Sequence, residues 1–246
     1  MSDQTLQGAV ALVTGAGSGL GAATARRLAG EGAAVALVAR RRDRLDAVVR
    51  EIASRGGHAV AVDTDLTEPE GAYEAVQGTM DRFGRLDVLV NNAGIMLLNS
   101  ALHAGVEEWE RMIALNVRAM LHVTHAAVPY LIDAASTSPR QVSDLVNVSS
   151  TAGRVARPGS SVYNLTKFGL TGFTESLRQE LISERVRVSV IEPGTVDTDP
   201  VGRLGVAVPT TALRADDIAD AIGYIVTRDR RVAVNEMLVR AGDQTW

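Results

Sequence analysis

Tyr163 and Lys167 stand four residues apart in the run Tyr163-Asn164-Leu165-Thr166-Lys167, inside a helical pattern. Residues at that spacing share a helix face, so the phenol and the ammonium point the same way. A free tyrosine has a pKa of about 10 and is protonated at neutral pH. A neighbouring ammonium favours its phenolate form. Such a pair can act as general acid toward a carbonyl and as general base toward an alcohol. Alone, the spacing is a common accident of helices, so its surroundings decide. Asn147-Val148-Ser149-Ser150 ends an apolar run just before this helix. There Ser150 could face the same cleft and hydrogen-bond a substrate oxygen; a turn or cap serine is the plainer alternative. Asn116 sits in the middle of a long helical pattern. Asparagine is an indifferent helix former, which suggests either a functional amide or a local kink. Asn91-Asn92-Ala93-Gly94 ends another strand, where ligands bind in open α/β sheets; a simple turn would read the same.

A second cluster could hold phosphate. Thr14-Gly15-Ala16-Gly17-Ser18-Gly19-Leu20-Gly21 follows the first apolar run and opens a helix. Glycines let the backbone turn tightly and approach a pyrophosphate, whose charge suits a helix N-terminus. A merely tight strand–helix turn would need fewer of them. The end of the second strand bears on which dinucleotide would bind. An acid there would hold the ribose hydroxyls. Here Ala39 is followed by Arg40, Arg41, Arg42 and, two further on, Arg44. Guanidinium groups bind a phosphate dianion bidentately, which favours NADP(H) over NAD(H). Cations are unfavourable at a helix start, which also suggests a recruited anion. Asp65 and Leu66 could frame an adenine; a helix cap by Asp65 or Thr67 is an equal alternative.

These residues need elements to position them. Short β-branched runs at Ala9–Thr14, Ala34–Ala39, Ala59–Asp63, Val88–Asn91, Asp144–Ser149, Val186–Ile191 and Met237–Val239 read as strands covered on both faces. Helical patterns alternate with them: Leu20–Gly32, Asp43–Arg55, Pro69–Phe83, Val106–Ala134, Val162–Glu184 and Ala215–Thr227. This alternation predicts an α/β fold: one doubly wound (Rossmann) domain over residues 1–246, with a seven-stranded parallel sheet and helices on both faces. Ala135–Ser143 reads as an exposed loop. Asp199–Leu213 reads as a lid over a ligand.

Composition narrows the function classes. The chain has 246 residues, 46% hydrophobic and 22% charged, with a net charge of −4. No basic face for nucleic acid is expected. There is no cysteine, which excludes disulfides and thiolate chemistry and fits a cytoplasmic setting. Neither a signal peptide nor a membrane-spanning run is visible. His122 and His125 lie three apart on a helix, but no third metal ligand is near them, so no metal site is expected.

Together these motifs resemble the short-chain dehydrogenase/reductase family, over nearly the whole chain. The matching residues are Thr14 to Gly21, Asn91-Asn92-Ala93-Gly94, Asn116, Ser150, Tyr163-x-x-x-Lys167 and Pro193-Gly194-x-Val196-x-Thr198. The resemblance implies an oxidoreductase acting on carbonyls and alcohols through a tetrad. Tyr163 would exchange the proton, and Ser150 would orient the carbonyl. Lys167 would bind the nicotinamide ribose and lower the Tyr163 pKa. Asn116 would hold a water linking Lys167 to solvent. Asn91, Ala93 and Gly94 would line the cofactor, and the Pro193–Thr195 backbone with Thr198 would bind the nicotinamide carboxamide. Ala39-Arg40 is similar to the NADP(H)-preferring members. Asn91 to Leu98, Ile191 to Thr198 and Asn235 to Arg240 look like the branch that contains clavulanate dehydrogenase and bacterial hydroxy-acid dehydrogenases. Helices such as 106–134 and 162–184 pair across subunits in the family, which implies a homotetramer or a homodimer.

Two other classes compete. A non-catalytic NADP(H)-binding sensor or scaffold would need the glycine loop and Arg40, but not Tyr163 and Ser150. An epimerase or dehydratase of the extended relatives would need a longer chain. Ile95, Met96, Ala152, Arg154, Thr195 and the segment around Val201–Val208 are candidate pocket walls. Their mostly apolar character suggests a hydrophobic aldehyde, ketone or alcohol. Arg154, Arg157 or Arg203 could meet a substrate carboxylate, or could be ordinary surface arginines.

Overall fold

The computed structural model describes residues 5–197 and 211–245. Seven parallel strands form one sheet: β1 (Val10–Thr14), β2 (Ala34–Ala39), β3 (His58–Asp63), β4 (Val88–Asn91), β5 (Ser143–Val148), β6 (Val186–Pro193) and β7 (Glu236–Val239). Their order is β3-β2-β1-β4-β5-β6-β7. Strand order therefore reverses between β1 and β4, and the crevice at such a reversal is where open α/β sheets bind ligands. The main helices are α1 (Gly19–Gly30), α2 (Arg42–Ser54), α3 (Gly71–Phe83), α4 (Val106–Ile113), α5 (Met120–Thr137), α6 (Ser161–Leu181) and α7 (Ala215–Val226).

The central strands are apolar because both faces are covered. One core joins Leu28 of α1, Leu45 and Ile52 of α2, and Ile218 and Ile222 of α7 to Ala11, Val13 and Val35 of the sheet. The other joins Val76 of α3 and Val123, Ala127 and Leu131 of α5 to Leu12, Leu89 and Leu145. Side chains of a strand alternate between faces, so Leu12 serves one core and Val13 the other. Below the sheet, the Arg187 guanidinium holds Asp144 and donates to the carbonyls of Val226, Arg228 and Val232. Among the described residues, no helix is long and apolar enough to cross a membrane.

The helical pattern expected over 106–134 is not one α-helix. A π-helical stretch, Ala114–Ala119, separates α4 from α5 and contains Asn116. A π-turn shifts the backbone ladder by one residue and commonly marks a functional site. At the other end, α5 runs to Thr137, so the loop expected over 135–143 is confined to 138–142. Ala134 and Ala135 are buried, and Ser136 and Thr137 turn their hydroxyls back onto the Asp133 carbonyl. Those polar residues close the helix rather than leave it.

Candidate active site

The glycine loop joins β1 to α1 by close contact with the end of β4. Gly15 has φ 67°, and a Cβ there would lie 2.9 Å from Asn92 Nδ2. At Gly21 a Cβ would lie 2.4 Å from the Gly15 carbonyl oxygen, which no side chain tolerates. Asn92 lines the crevice while its Nδ2 donates to the Thr14 carbonyl at 2.9 Å. The Thr14 hydroxyl accepts from the backbone amides of Asn92 and Ala93, both at 3.0 Å. At the helix start, Ser18 makes no capping hydrogen bond and the first turn carries no acid. The first amides of α1 therefore keep unused donors, as an anion site requires.

Gly17 lies against Ala39 and Arg44, so the loop meets the arginine run at the end of β2. The arginines are not equivalent. Arg42 is held by Asp46 at 2.8 Å and Asp63 at 2.9 Å. Arg40 is 72% exposed, with only a loose contact of 3.7 Å to Asp65. Arg41 is exposed at the start of α2. Asp65 takes the cap role: its Oδ1 accepts from the Thr67 amide and hydroxyl. Burial would raise the Asp65 pKa, but these bonds and Arg40 hold it below the usual carboxylate value. Leu66 is packed into the core beneath α3.

Asn91 is likewise buried. Its Nδ2 donates to Thr124 Oγ1 and Asn147 Oδ1, and Asn147 Nδ2 continues to Thr174 Oγ1. This polar ladder beneath the crevice takes Asn91 away from the cofactor-lining position expected for it. Ala93 and Gly94 stay at the crevice, and a Cβ on Gly94 would lie 3.3 Å from Asn116 Oδ1. Asn116 clamps the next residue through both its polar atoms, accepting from Ile95 N and donating to Ile95 O at 2.8 Å each. Its side chain is therefore already engaged with the chain leaving β4. A further contact of 3.4 Å leads to Thr166 Oγ1, which donates to the Tyr163 carbonyl.

Tyr163, Lys167 and Ser150 come together. Ser150 Oγ accepts from the Ala152 amide at 3.1 Å, capping a short 3-10 turn, and lies beside the Tyr163 phenol. The cap and the cleft roles coexist in one hydroxyl. Burial pushes the Tyr163 phenol above its ordinary pKa, and the Ser150 bond only partly offsets this. The Lys167 ammonium lies over the same ring. Its Nζ donates to the Val148 carbonyl at 2.8 Å and lies 5.8 Å from the Tyr163 ring centre. Burial lowers the Lys167 pKa to about 8.

These groups face a cavity of about 430 Å³, reached from Leu20 and Gly94 on one side and from Pro193, Gly194 and Val196 on the other. Val196 forms a bridge with Leu213, so the chain leaves and returns at the same corner of the crevice. Thr198, Arg203 and most of the expected lid (residues 198–210) lie outside the described residues. Two residues of the site were not singled out in the sequence. Gln244 Oε1 accepts from the Thr195 amide at 3.0 Å and packs over Gly194. Asn164 staples the turn after Ser150, donating to the carbonyls of Ala152 and Val155 at 2.6 and 3.0 Å. Neither had a signal: Gln244 acts from the far end of the chain, and Asn164 looks like filler between Tyr163 and Lys167. Arg154, a candidate for substrate, is instead bound to Glu192 at 2.6 Å and to Glu236.

A buried ammonium with one carbonyl partner should cost stability. Below pH 8 both folded and unfolded Lys167 are protonated, and the folded state bears the full desolvation penalty. Between pH 8 and the unfolded pKa the folded ammonium loses its proton first, and the penalty fades. The shift from 10.5 to about 8 corresponds to on the order of 3 kcal/mol. Lys167→Met should therefore melt higher than the unsubstituted protein at pH 7, with the gap closing toward pH 10. Thermal melts across that range check this, and a lower melting temperature for the variant at pH 7 refutes it.

The comparisons with known proteins agree with this geometry. A family model described as short chain dehydrogenase matches residues 9–206. An uncharacterized oxidoreductase of Staphylococcus epidermidis is 35% identical over 231 residues, covering 94% of this chain and 96% of that protein. A metagenomic short-chain oxidoreductase in complex with NADP superposes with a TM-score of 0.83 at 35% identity, covering 96% of this chain and 98% of that one. A 3-ketoacyl-(acyl-carrier-protein) reductase from Brucella melitensis, complexed with NADH, gives 0.87 at 31% identity over 96% and 98% of the two chains. By sequence match, sheet order and the residues gathered at the crevice, this chain belongs to the short-chain dehydrogenase family of oxidoreductases.

Proposed function

We propose that the chain is an NADP(H)-dependent oxidoreductase that moves hydride reversibly between the nicotinamide and a small carbonyl or alcohol substrate. The observation that carries this reading is the half-buried Tyr163 phenol, beside Ser150 at the wall of the cavity. A sensor or scaffold would gain nothing from gathering that pair in a cavity.

The dinucleotide fits the residues present. The unfilled amides of α1 suit the pyrophosphate, and Gly15 and Gly21 let the loop that presents them pack tightly on itself and on Asn92. When bound, the nicotinamide gives or takes the hydride. The chain's own residues manage the proton and the geometry. Ser150 holds the substrate oxygen beside the Tyr163 hydroxyl. A phenol with a raised pKa keeps its proton at neutral pH, so Tyr163 is poised to donate to an oxygen that becomes an alkoxide. Lys167, held on the Val148 carbonyl, would bind the nicotinamide ribose. The relatives bind NADP in one case and NADH in another. Arg40 is what favours NADP(H) here, since its guanidinium is exposed and only loosely held. We read the lid in the segment 199–213. The apolar face of Leu165 and Phe168 on α6 and Leu121 on α5 is the surface through which copies of the chain would pair, as a tetramer or dimer.

Three measurements test the reading. Tyr163→Phe should lower kcat roughly a hundred- to ten-thousand-fold while NADPH still binds by fluorescence titration; turnover near that of the unsubstituted protein would sink the proposal. Arg40→Ala should lower the NADPH over NADH ratio of kcat/KM about tenfold or more, and an unchanged ratio removes Arg40 from cofactor choice. The Gln244 carboxamide already occupies the Thr195 amide that a nicotinamide carboxamide would use. Gln244→Ala removes this competitor, whose hydrogen bond is worth about 1 kcal/mol. NADPH titrated without substrate should bind several-fold more tightly to the variant, and weaker binding would make Gln244 a ligand of the cofactor instead.

A further inference from the structure

Two guanidinium groups stand in the turn after Ser150, and the structure treats them in opposite ways. Arg154 is neutralised by Glu192, which is fully buried, and by Glu236. Arg157 lies on the cavity wall, and its guanidinium has no ion-pair partner among the described residues. Its backbone is nevertheless fixed. The Arg157 amide donates to Asn164 Oδ1 at 3.3 Å, and its carbonyl accepts from the Ser160 hydroxyl at 2.8 Å. Asn164 is the residue after Tyr163, so the same buried amide ties the base of Arg157 to the helix that carries the phenol. A second tie comes from Asn99, whose amide donates to the Gly159 carbonyl at 2.9 Å.

The charge around the cavity is one-sided. Its described lining contains two charged residues, Arg157 and Lys167, and no carboxylate. Lys167 is committed to the Val148 carbonyl. The wall between them is apolar, formed by Ile95, Met96, Leu98, Val155 and Pro158. A guanidinium on an anchored backbone, beside an apolar wall and without a carboxylate, favours a bidentate anion.

We propose that Arg157 determines substrate specificity: the substrate is a carbonyl compound, or its alcohol, whose reacting carbon is joined through an apolar stretch to a carboxylate or phosphate that Arg157 binds at the cavity mouth. This rests on the oxidoreductase reading and adds the substrate's polarity to it. The carbonyl lies inward at Ser150 and Tyr163, the apolar stretch lies along Met96 and Val155, and the anion lies outward. Arg157 acts on binding, so its effect falls on KM.

The test is a set of aliphatic oxo acids of increasing length, their methyl esters, and phosphate monoesters of the matching keto alcohols. NADPH oxidation is followed with the unsubstituted protein, Arg157→Gln and Arg157→Lys. The unsubstituted protein is expected to prefer an anionic member over its ester roughly tenfold or more. Arg157→Gln should collapse that ratio through KM of the anionic member, and Arg157→Lys should keep part of it. Added salt should raise KM for the acids and leave that of the esters. A preference for carboxylate or for phosphate identifies which anion is meant. Esters used as well as their acids, or a ratio unchanged in Arg157→Gln, overturns the role of Arg157 and leaves the oxidoreductase reading standing. No oxidation with any member overturns the oxidoreductase reading, and this inference with it.

Discussion

The crevice depends on how closely the ends of β1 and β4 approach each other. Gly15, Gly21 and Asn92 share a space that no additional carbon could enter. The Thr14 hydroxyl and carbonyl take up the three donors that β4 presents there. That contact fixes the glycine loop against the sheet at the point where strand order reverses. It then propagates outward. Ile95, just beyond β4, is clamped by Asn116; Asn116 touches Thr166; and Thr166 bonds the Tyr163 carbonyl. A chain of short contacts thus runs from the phosphate end of the crevice to the proton-handling end. Errors of an ångström in one would be felt in the other.

The same region is where the structure departs most from what stability favours. Most of the sheet is aliphatic and closed on both faces. Around the crevice, however, a phenol and an ammonium are buried with few partners, and Asn91 Oδ1 is buried with none. Such departures are tolerated only where surrounding structure over-determines the position. Here the two cores on either side of the sheet supply that rigidity. The departures also have a chemical effect. Burial keeps the proton on Tyr163, and it brings the Lys167 ammonium close to neutrality near pH 8, so the two groups that would share a proton path are drawn apart in proton affinity, with the phenol the tighter holder.

Strands, helices and the glycine loop were legible in the sequence because each leaves a local trace. Buried parallel strands are continuous apolar runs, and the loop needs glycine at fixed places. Tyr163, Lys167 and Ser150 were legible because the strand and helix that carry them adjoin in sequence. What stayed hidden is long-range or subtle. The π-turn at Asn116 changes the ladder by one residue and barely disturbs helical periodicity. Asn91 and Leu66 look like ligand contacts at strand ends, and only their depth shows that they belong to the fold. Arg154 and Arg157 differ by three positions and not in type. Glu192 and Glu236, from β6 and the start of β7, separate them, and neither lies near the arginines in sequence. The family is shown by the comparisons; membership of a narrower NADP(H)-preferring branch rested on the Ala39-Arg40 step and on short motifs alone.

Net charge adds a last step. The chain carries −4 overall, yet the charged residues of its described crevice lining, Arg157 and Lys167, are both basic. Asp63 is held by Arg42, Asp65 by Thr67, and Glu192 by Arg154. These three acids are paired before they can oppose an anion. What remains uncompensated is the start of α1, Arg40 at its outer end, and Arg157 at the opposite mouth. Fixed partial and full charges arranged this way attract anions and orient them along the crevice. A dinucleotide approaching from the glycine loop and a substrate approaching from the mouth would both be drawn phosphate- or carboxylate-first to the rim. Their uncharged reacting ends would then be left to meet at Ser150 and Tyr163.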